Sequence, residues 1–261
     1  MTEMTYGDYL KIDELLDLQQ RRSDPPEHDE MLFIIIHQVY ELWFKEVLHE
    51  LDELVEHLDD DRPSLGGHQL KRVLKIFKTL VSQLDVLETM TPLEFTSFRS
   101  FLASSSGFES AQFRELEFLL GLKDRHHLDR FADDARAHPR LSKRFGEPSL
   151  WDTFVRYLAR RGYDIPPGFL ERDLTGPAGE WPGVQQALIT AYRTDPPLAA
   201  LCESLTDLDE GLQEWRYRHV MMVQRTIGAK MGTGGSAGVE YLRSTLFRPA
   251  FPDLWAIRTE L

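Results

Sequence analysis

Residues 31–58 read MLFIIIHQVYELWFKEVLHELDELVEHL, and this stretch decides the fold class. Its apolar side chains recur at steps of three and four, which is the spacing of one face of an α-helix, until Asp59-Asp60-Asp61-Arg62-Pro63 ends the pattern. The first two turns, residues 31–36, are apolar all round, so we expect other helices to cover them on every side. The stretch therefore predicts a long interior helix.

The rest of the chain repeats the helical pattern, and strict apolar/polar alternation is hard to find in it. We predict an all-α bundle that forms a single domain over residues 1–261. The expected features are a helix over about 69–88, a capped start at Thr91-Pro92-Leu93-Glu94, a helix over 108–120 ended by Gly121, a cap at Ser149, an irregular connection over 162–183 and a helix over about 197–230.

Composition excludes several classes of function. The 261 residues carry 30 basic and 43 acidic side chains, and the net charge of −13 opposes binding to nucleic acid or to an anionic membrane. The single cysteine, Cys202, rules out an internal disulfide and any multi-cysteine metal site. The sequence has no signal-peptide pattern and no apolar run long enough to span a bilayer, so we expect a soluble cytoplasmic protein.

Two histidines interrupt apolar helix faces. His37 follows Phe33 by one turn, and it is either a buried histidine bonded to a carbonyl group or a functional residue. His219 shares a stripe with Trp215 and Met222, which fits a core histidine or the axial ligand of a haem iron. Neither has a partner at zinc-ligand spacing, and the adjacent pair His126-His127 is expected to be solvated.

Arg99 lies beside the aromatic residues Phe95, Phe98 and Phe101. The Arg99 side chain either lies at the surface, with its aliphatic part covering apolar area, or binds a carboxylate through its guanidinium. The glycine-rich segment 232–238 follows a helix and has no lysine after it, so a P-loop is not expected. Two interpretations of the segment remain: it is a mobile lid over a site, or it is a flexible loop that binds no ligand. The glutamate-rich face after residue 45 lacks the inward Glu-x-x-His pairs of a di-iron site.

The chain also contains a series of long motifs in one order: TYGDYL at 5–10, LQQ at 18–20, HDE at 28–30, LFII at 32–35, HQVYELWFK at 37–45, TP at 91–92, FR at 98–99, SGF at 106–108, WRYRH at 215–219 and GTGGS at 232–236. Together these motifs, spread over nearly the whole chain, resemble the tryptophan 2,3-dioxygenase family of haem enzymes. The resemblance implies an all-α fold that encloses a b-type haem, with dioxygen as co-substrate.

The resemblance also implies a reaction and a site. L-Tryptophan would take both atoms of dioxygen across its indole C2–C3 bond, giving N-formylkynurenine on the kynurenine pathway of tryptophan catabolism. An obligate homotetramer is implied, in which the N-terminal arm, residues 1–25, packs on a neighbouring subunit. The implied site residues are His219 as the axial iron ligand, His37 as the distal histidine, Phe33 and Phe95 at the indole pocket, Arg99 on the substrate carboxylate, Thr233 on its charged groups, Ser106 and Gly107 near the haem edge, and Tyr6 and Tyr9 reaching a neighbour's pocket.

Some positions depart from the family's usual pattern. Ser104 replaces a proline, Glu109 a glutamine, Ala237 a serine and Ile36 a commonly polar residue, while Phe95 lacks a hydroxyl that some members have. These changes keep two alternatives open. One is a haem monooxygenase acting on a substituted tryptophan or a related aromatic amino acid, and the other is a non-catalytic haem-binding protein.

Overall fold

The computed structural model describes residues 4–103, 105, 107–230 and 238–261. These residues form helices and no β-strand, which confirms the predicted all-α class. The α-helices, in chain order, are α1 (Tyr6–Leu10), α2 (Ile12–Leu16), α3 (Glu30–Asp59), α4 (Pro63–Leu87), α5 (Pro92–Arg99), α6 (Ala111–Leu119), α7 (Arg125–Asp129), α8 (Ala137–Gly146), α9 (Leu150–Arg160), α10 (Pro167–Leu170), α11 (Pro182–Thr194), α12 (Pro196–Ile227), α13 (Val239–Ser244) and α14 (Pro252–Ala256).

Three long helices form the frame of the molecule. Helix α4 packs along α3 on one side and along α12 on the other. Fully buried leucines from each helix fill the space between them, including Leu51, Leu80 and Leu212. The Tyr40 hydroxyl donates a hydrogen bond to the carbonyl oxygen of Leu80 (2.6 Å), which satisfies a buried polar group within this apolar contact. The frame holds one end of α3 and one end of α12 close together, and the candidate site lies there.

Capping residues set two helix starts that the sequence predicted. The Thr91 hydroxyl accepts the Glu94 amide (3.3 Å), and the Glu94 carboxylate accepts the Thr91 amide (2.6 Å). Ser149 and Asp152 form the same reciprocal arrangement at the start of α9, in the interior of the protein. Each capping box satisfies backbone donors that have no partner within the helix. Gly121 follows α6 with φ of 93°, a conformation that glycine adopts without strain.

The structure corrects several expected boundaries. Helix α4 starts at Pro63, six residues before the expected position 69. The segment expected to be one helix over 108–120 is a short 3-10 turn at Gly107–Glu109 followed by α6. The Ser110 hydroxyl accepts the Phe113 amide (3.2 Å) and so caps α6 where it starts. The irregular connection contains the one-turn helix α10.

The start of α3 is less covered than expected. Ile35 is 41 % exposed, so the prediction that helices cover residues 31–36 on every side is wrong for a single chain. Helices α1 and α2 also present apolar side chains to solvent, among them Tyr6 and Tyr9. Cys202, in contrast, is fully buried in α12. Within the described part of the chain, no helix is both long and apolar enough to cross a membrane.

Candidate active site

A deep cavity opens between six helices of the structure. Residues of α3, α4, α5, α6, α12 and α13 line it, and about 1490 Å³ of the space, including the open mouth, holds no protein atoms. Most of the side chains around it are aromatic or aliphatic.

His37 forms part of the cavity wall on α3. Its Nδ1 lies 2.7 Å from the carbonyl oxygen of Phe33, and because a carbonyl only accepts, Nδ1 carries the proton. Burial lowers the pKa of His37, and the bond to Phe33 and the charge of Glu41 offset only part of that effect. The neutral ring therefore keeps a lone pair on Nε2, which can accept a hydrogen bond from a molecule in the cavity.

Three phenylalanines form an aromatic wall beside His37. The ring of Phe33 lies 4.1 Å from the His37 ring, 5.7 Å from Phe95 and 5.6 Å from Phe98, measured between centroids. Arg99, half-buried, lines the same cavity one turn after Phe95. Helix α5 therefore presents the aromatic ring of Phe95 and the cation of Arg99 to the same cavity. A ligand with an aromatic ring and a carboxylate matches this arrangement.

His219 reaches the cavity from α12. Its ring stacks on Trp215, with centroids 5.2 Å apart and the planes inclined by 5°. Burial, together with the nearby His37 and Arg114, lowers the pKa of His219 to about 4. The imidazole is neutral at pH 7, which is the form that binds a metal ion. Among the residues that the structure describes, none forms a hydrogen bond with this ring.

A buried ion cluster lies at one end of the cavity. Arg114 donates to one Glu117 oxygen (2.5 Å), and Arg216 donates to the other (2.7 Å). Burial alone would raise the pKa of Glu117, but the two guanidinium groups hold it below its usual range. All three side chains line the cavity, and together they carry one net positive charge there.

His127 differs from the expectation for the adjacent histidines. The sequence predicted that both are solvated, which holds for His126, whereas His127 is only 6 % exposed. Its Nε2 lies 2.7 Å from the hydroxyl of Tyr241, a residue of the cavity wall. The two histidines point in different directions, as expected for neighbours on a helix. His126 points to solvent, and His127 points into the protein.

The structure brings most of the predicted site residues together. The cavity lining includes Phe33, His37, Phe95, Arg99, Gly107 and His219. Tyr6 and Tyr9 lie on exposed α1 and are not among the lining residues of their own chain. Ser106 and Thr233, like the departing positions Ser104 and Ala237, lie outside the described residues. The sequence analysis did not single out Arg114, Glu117, Arg216 or Tyr241.

Haem fits the residues that are present. It requires a neutral imidazole nitrogen without another partner, an apolar envelope for the porphyrin and positive charge for its two carboxylates, and His219, the aromatic wall and the ion cluster match these needs. Within the described part of the chain, no three His, Cys, Asp or Glu side chains form a group that could hold a bare metal ion. The fold and the site thus define a class, an all-α protein with a buried cavity suited to a metal-bearing planar cofactor and an aromatic ligand.

Comparison with known proteins identifies the family. Residues 1–141 and 181–261 match the sequence model of tryptophan 2,3-dioxygenase. The tryptophan 2,3-dioxygenase of Herpetosiphon aurantiacus is 57 % identical over 258 residues, which cover 99 % of this chain and 98 % of the relative. That of Anaeromyxobacter sp. strain K is 54 % identical, covering 99 % and 96 %, and that of Saccharopolyspora erythraea is 47 % identical, covering 99 % and 93 %. The chain belongs to the tryptophan 2,3-dioxygenase family.

Proposed function

We propose that this protein is a haem-dependent dioxygenase that converts L-tryptophan and dioxygen into N-formylkynurenine. The observation that carries the proposal is the placement of two neutral histidines, an aromatic wall and Arg99 around one cavity. The full-length similarity to enzymes named tryptophan 2,3-dioxygenase supports the choice of substrate. The product contains every atom of both reactants, so the reaction consumes no external reductant.

The proposed cofactor residues are His219, for the iron, and the ion cluster, for the carboxylates of the porphyrin. Trp215, stacked on His219, restricts the rotation of the imidazole and so directs its nitrogen into the cavity. Arg114 and Arg216 provide positive charge in a chain whose overall charge is −13. Bound haem supplies an iron atom that binds dioxygen, and the protein orients the substrate beside it.

The proposed substrate contacts use both ends of tryptophan. His37 Nε2 accepts the indole N–H, and Phe33 and Phe95 hold the faces and edges of the ring. Arg99 pairs with the substrate carboxylate, and Thr233, by resemblance, contacts the amino acid's charged groups. These contacts fix the indole C2–C3 bond in one orientation, and the apolar wall keeps water from the reacting atoms.

We also infer a homo-oligomer, by resemblance a tetramer, built from one helical domain per chain. Tyr6 is 77 % exposed and Tyr9 is 74 % exposed on the arm, and such apolar surface is usually covered by a partner. In the proposed assembly the arm, residues 1–25, packs on a neighbour, and both tyrosines reach the neighbour's cavity. We expect the protein to work in a reducing compartment such as the cytoplasm, where Cys202 stays a free thiol.

The test is product analysis under labelled dioxygen. The haem-loaded protein, kept ferrous, is given L-tryptophan and labelled dioxygen, and the product is analysed by mass spectrometry. The proposal expects a ring-opened product that carries two labelled atoms. A single labelled atom with an intact bicyclic ring, formed only from a substituted tryptophan, would show the monooxygenase alternative instead. Haem binding without any product would leave the non-catalytic alternative.

A further inference from the structure

His127 lies outside the cavity but touches two residues that line it. It belongs to the short helix α7, and it is buried between α6 and α13. Its Nε2 lies 2.7 Å from the Tyr241 hydroxyl and 3.5 Å from Arg114 Nη1. Neither the proposed chemistry nor the family motifs assign it a role. A buried histidine with two such neighbours requires an explanation.

The protonation state of His127 follows from its neighbours. Arg114 can only donate hydrogen bonds, so the Nε2 atom that faces it carries a lone pair and the ring proton lies on Nδ1. The Tyr241 hydroxyl, at 2.7 Å, donates to this lone pair, and the Arg114 guanidinium lies beside it as a positive charge at 3.5 Å. Burial and the positive charge of Arg114 lower the pKa of His127 to about 4, so this arrangement persists at neutral pH.

The two contacts connect His127 to two elements of the cavity wall. Through Arg114 it reaches the ion cluster, because Arg114 binds Glu117 and Glu117 binds Arg216. Through Tyr241 it reaches α13, whose residues Tyr241 and Leu242 also line the cavity. One imidazole therefore links α6, α12 and α13 at the positive end of the cavity.

We propose that His127 is a positioning residue, which holds Arg114 and Tyr241 so that the positive end of the cavity faces the carboxylates of the bound cofactor. The inference rests on the proposed function, since that function supplies a ligand with carboxylates. Without an acceptor at position 127, the Tyr241 hydroxyl loses its 2.7 Å hydrogen bond to α7. Arg114 then keeps the bond to Glu117 but loses the neighbour on its other side.

The experiment measures how fast the holoenzyme releases haem to an excess of a haem-free globin. His127→Leu removes the acceptor, and Tyr241→Phe removes the donor while keeping the ring. His127→Gln keeps an acceptor oxygen near the position of Nε2, and His126→Gln is the matched control on the exposed neighbour. We expect release about threefold to tenfold faster in His127→Leu and in Tyr241→Phe, the range for one buried hydrogen bond. His127→Gln should recover most of the loss, and His126→Gln should match the unmodified protein.

A second cofactor separates positioning from general stability. Each protein is also loaded with the dimethyl ester of haem, which keeps the iron and the porphyrin but has no negative charge. The variants should release this ester at the rate of the unmodified protein, because the ion cluster has no charge to bind. Equal acceleration for haem and for the ester would overturn the proposal and leave His127 a merely structural role. Unchanged haem release in both His127→Leu and Tyr241→Phe would overturn it as well.

Failure of this inference is distinguishable from failure of the proposed function. An unmodified protein that does not take up haem would contradict the proposed function and remove the basis of the inference with it. An unmodified protein that takes up haem and cleaves tryptophan, while its His127 variants behave as the control does, would contradict the inference alone.

Discussion

The His219 imidazole is neutral, and it faces the cavity. We predict that His219→Ala loses most of the Soret absorbance of the purified protein, because no other described imidazole reaches the cavity from α12. His49→Ala, on the exposed side of α3, is the control and should keep the spectrum. Normal haem content in His219→Ala would show that another residue binds the iron.

Arg99 is placed to bind the charged end of the substrate. We predict that Arg99→Ala weakens tryptophan binding by about 1.5–3 kcal/mol, the range for a hydrogen bond to a charged group, with haem content unchanged. Titration with tryptamine, which lacks the carboxylate, provides the control and should give nearly the same affinity in both proteins. If the two ligands lose equal affinity, Arg99 does not bind the carboxylate.

Some residues of this site could be predicted from the sequence, and others could not. His37, His219 and Arg99 interrupt apolar patterns, and that contrast made them candidates. Arg114 and Glu117 belong to the charged pattern of α6, which in sequence resembles a solvated face, and the structure buries them by pairing them with each other. The i,i+3 spacing of Arg114 and Glu117 is visible in the sequence, but the bond from Arg216 to Glu117 is not, because it depends on how α6 and α12 pack.

At the scale of the element, the N-terminal arm is the segment whose packing a single chain does not explain. It is tied to α3 next to His37, since the Gln38 amide donates to the Leu18 carbonyl (3.1 Å) and accepts from Gln19 (2.6 Å). Beyond that tie, α1 and α2 bury no residue. A short exposed arm is stable only if it packs on something.

We predict that deletion of residues 1–10 lowers both the oligomeric order and the activity. The physical reason is that the deletion removes Tyr6 and Tyr9, whose exposed rings need a partner surface. Light scattering on a sizing column gives the mass, and steady-state turnover gives the activity. The double substitution Tyr6→Ala and Tyr9→Ala, which keeps the chain length, serves as the comparison. A truncated protein that is monomeric and fully active contradicts the role of the arm.

The helix starts could be predicted from the sequence where a local capping motif marks them. The capping boxes at Thr91 and Ser149 fix the starts of α5 and α9, and both were predicted. The start of α4 was missed because its first turn, from Pro63, has no apolar periodicity, although proline is favoured there. The exposure at the start of α3 was missed because an apolar sequence does not reveal whether its own chain or another chain covers it.

At the scale of the whole molecule, the buried histidine His127 couples stability to pH. In the unfolded chain its pKa is about 6.5, and in the folded protein it is about 4. Between these values the unfolded chain binds a proton that the folded protein does not, so the free energy of unfolding falls as the pH is lowered from about 6.5 to 4. Asp253 acts in the opposite direction, because burial raises its folded pKa to about 6.

We predict that His127→Gln flattens this pH dependence. Denaturant unfolding of the haem-free protein at several pH values between 4 and 7 gives the free energy for both chains. The unmodified protein should lose up to about 1.4 kcal/mol more per pH unit than the variant within the window, because the variant has no titrating group at this position. Parallel curves would mean that His127 is protonated as easily in the folded protein as in the unfolded chain.

Cys202 is the one thiol of the chain, and its complete burial in α12 has a practical consequence. Burial raises its pKa to about 12, so at neutral pH it offers almost no thiolate to an alkylating reagent. A cysteine introduced at an exposed position such as Leu93 would then be the single reactive thiol of each chain. A dye or spin label would attach there without removal of the native cysteine, and the amount of bound label would directly count the chains.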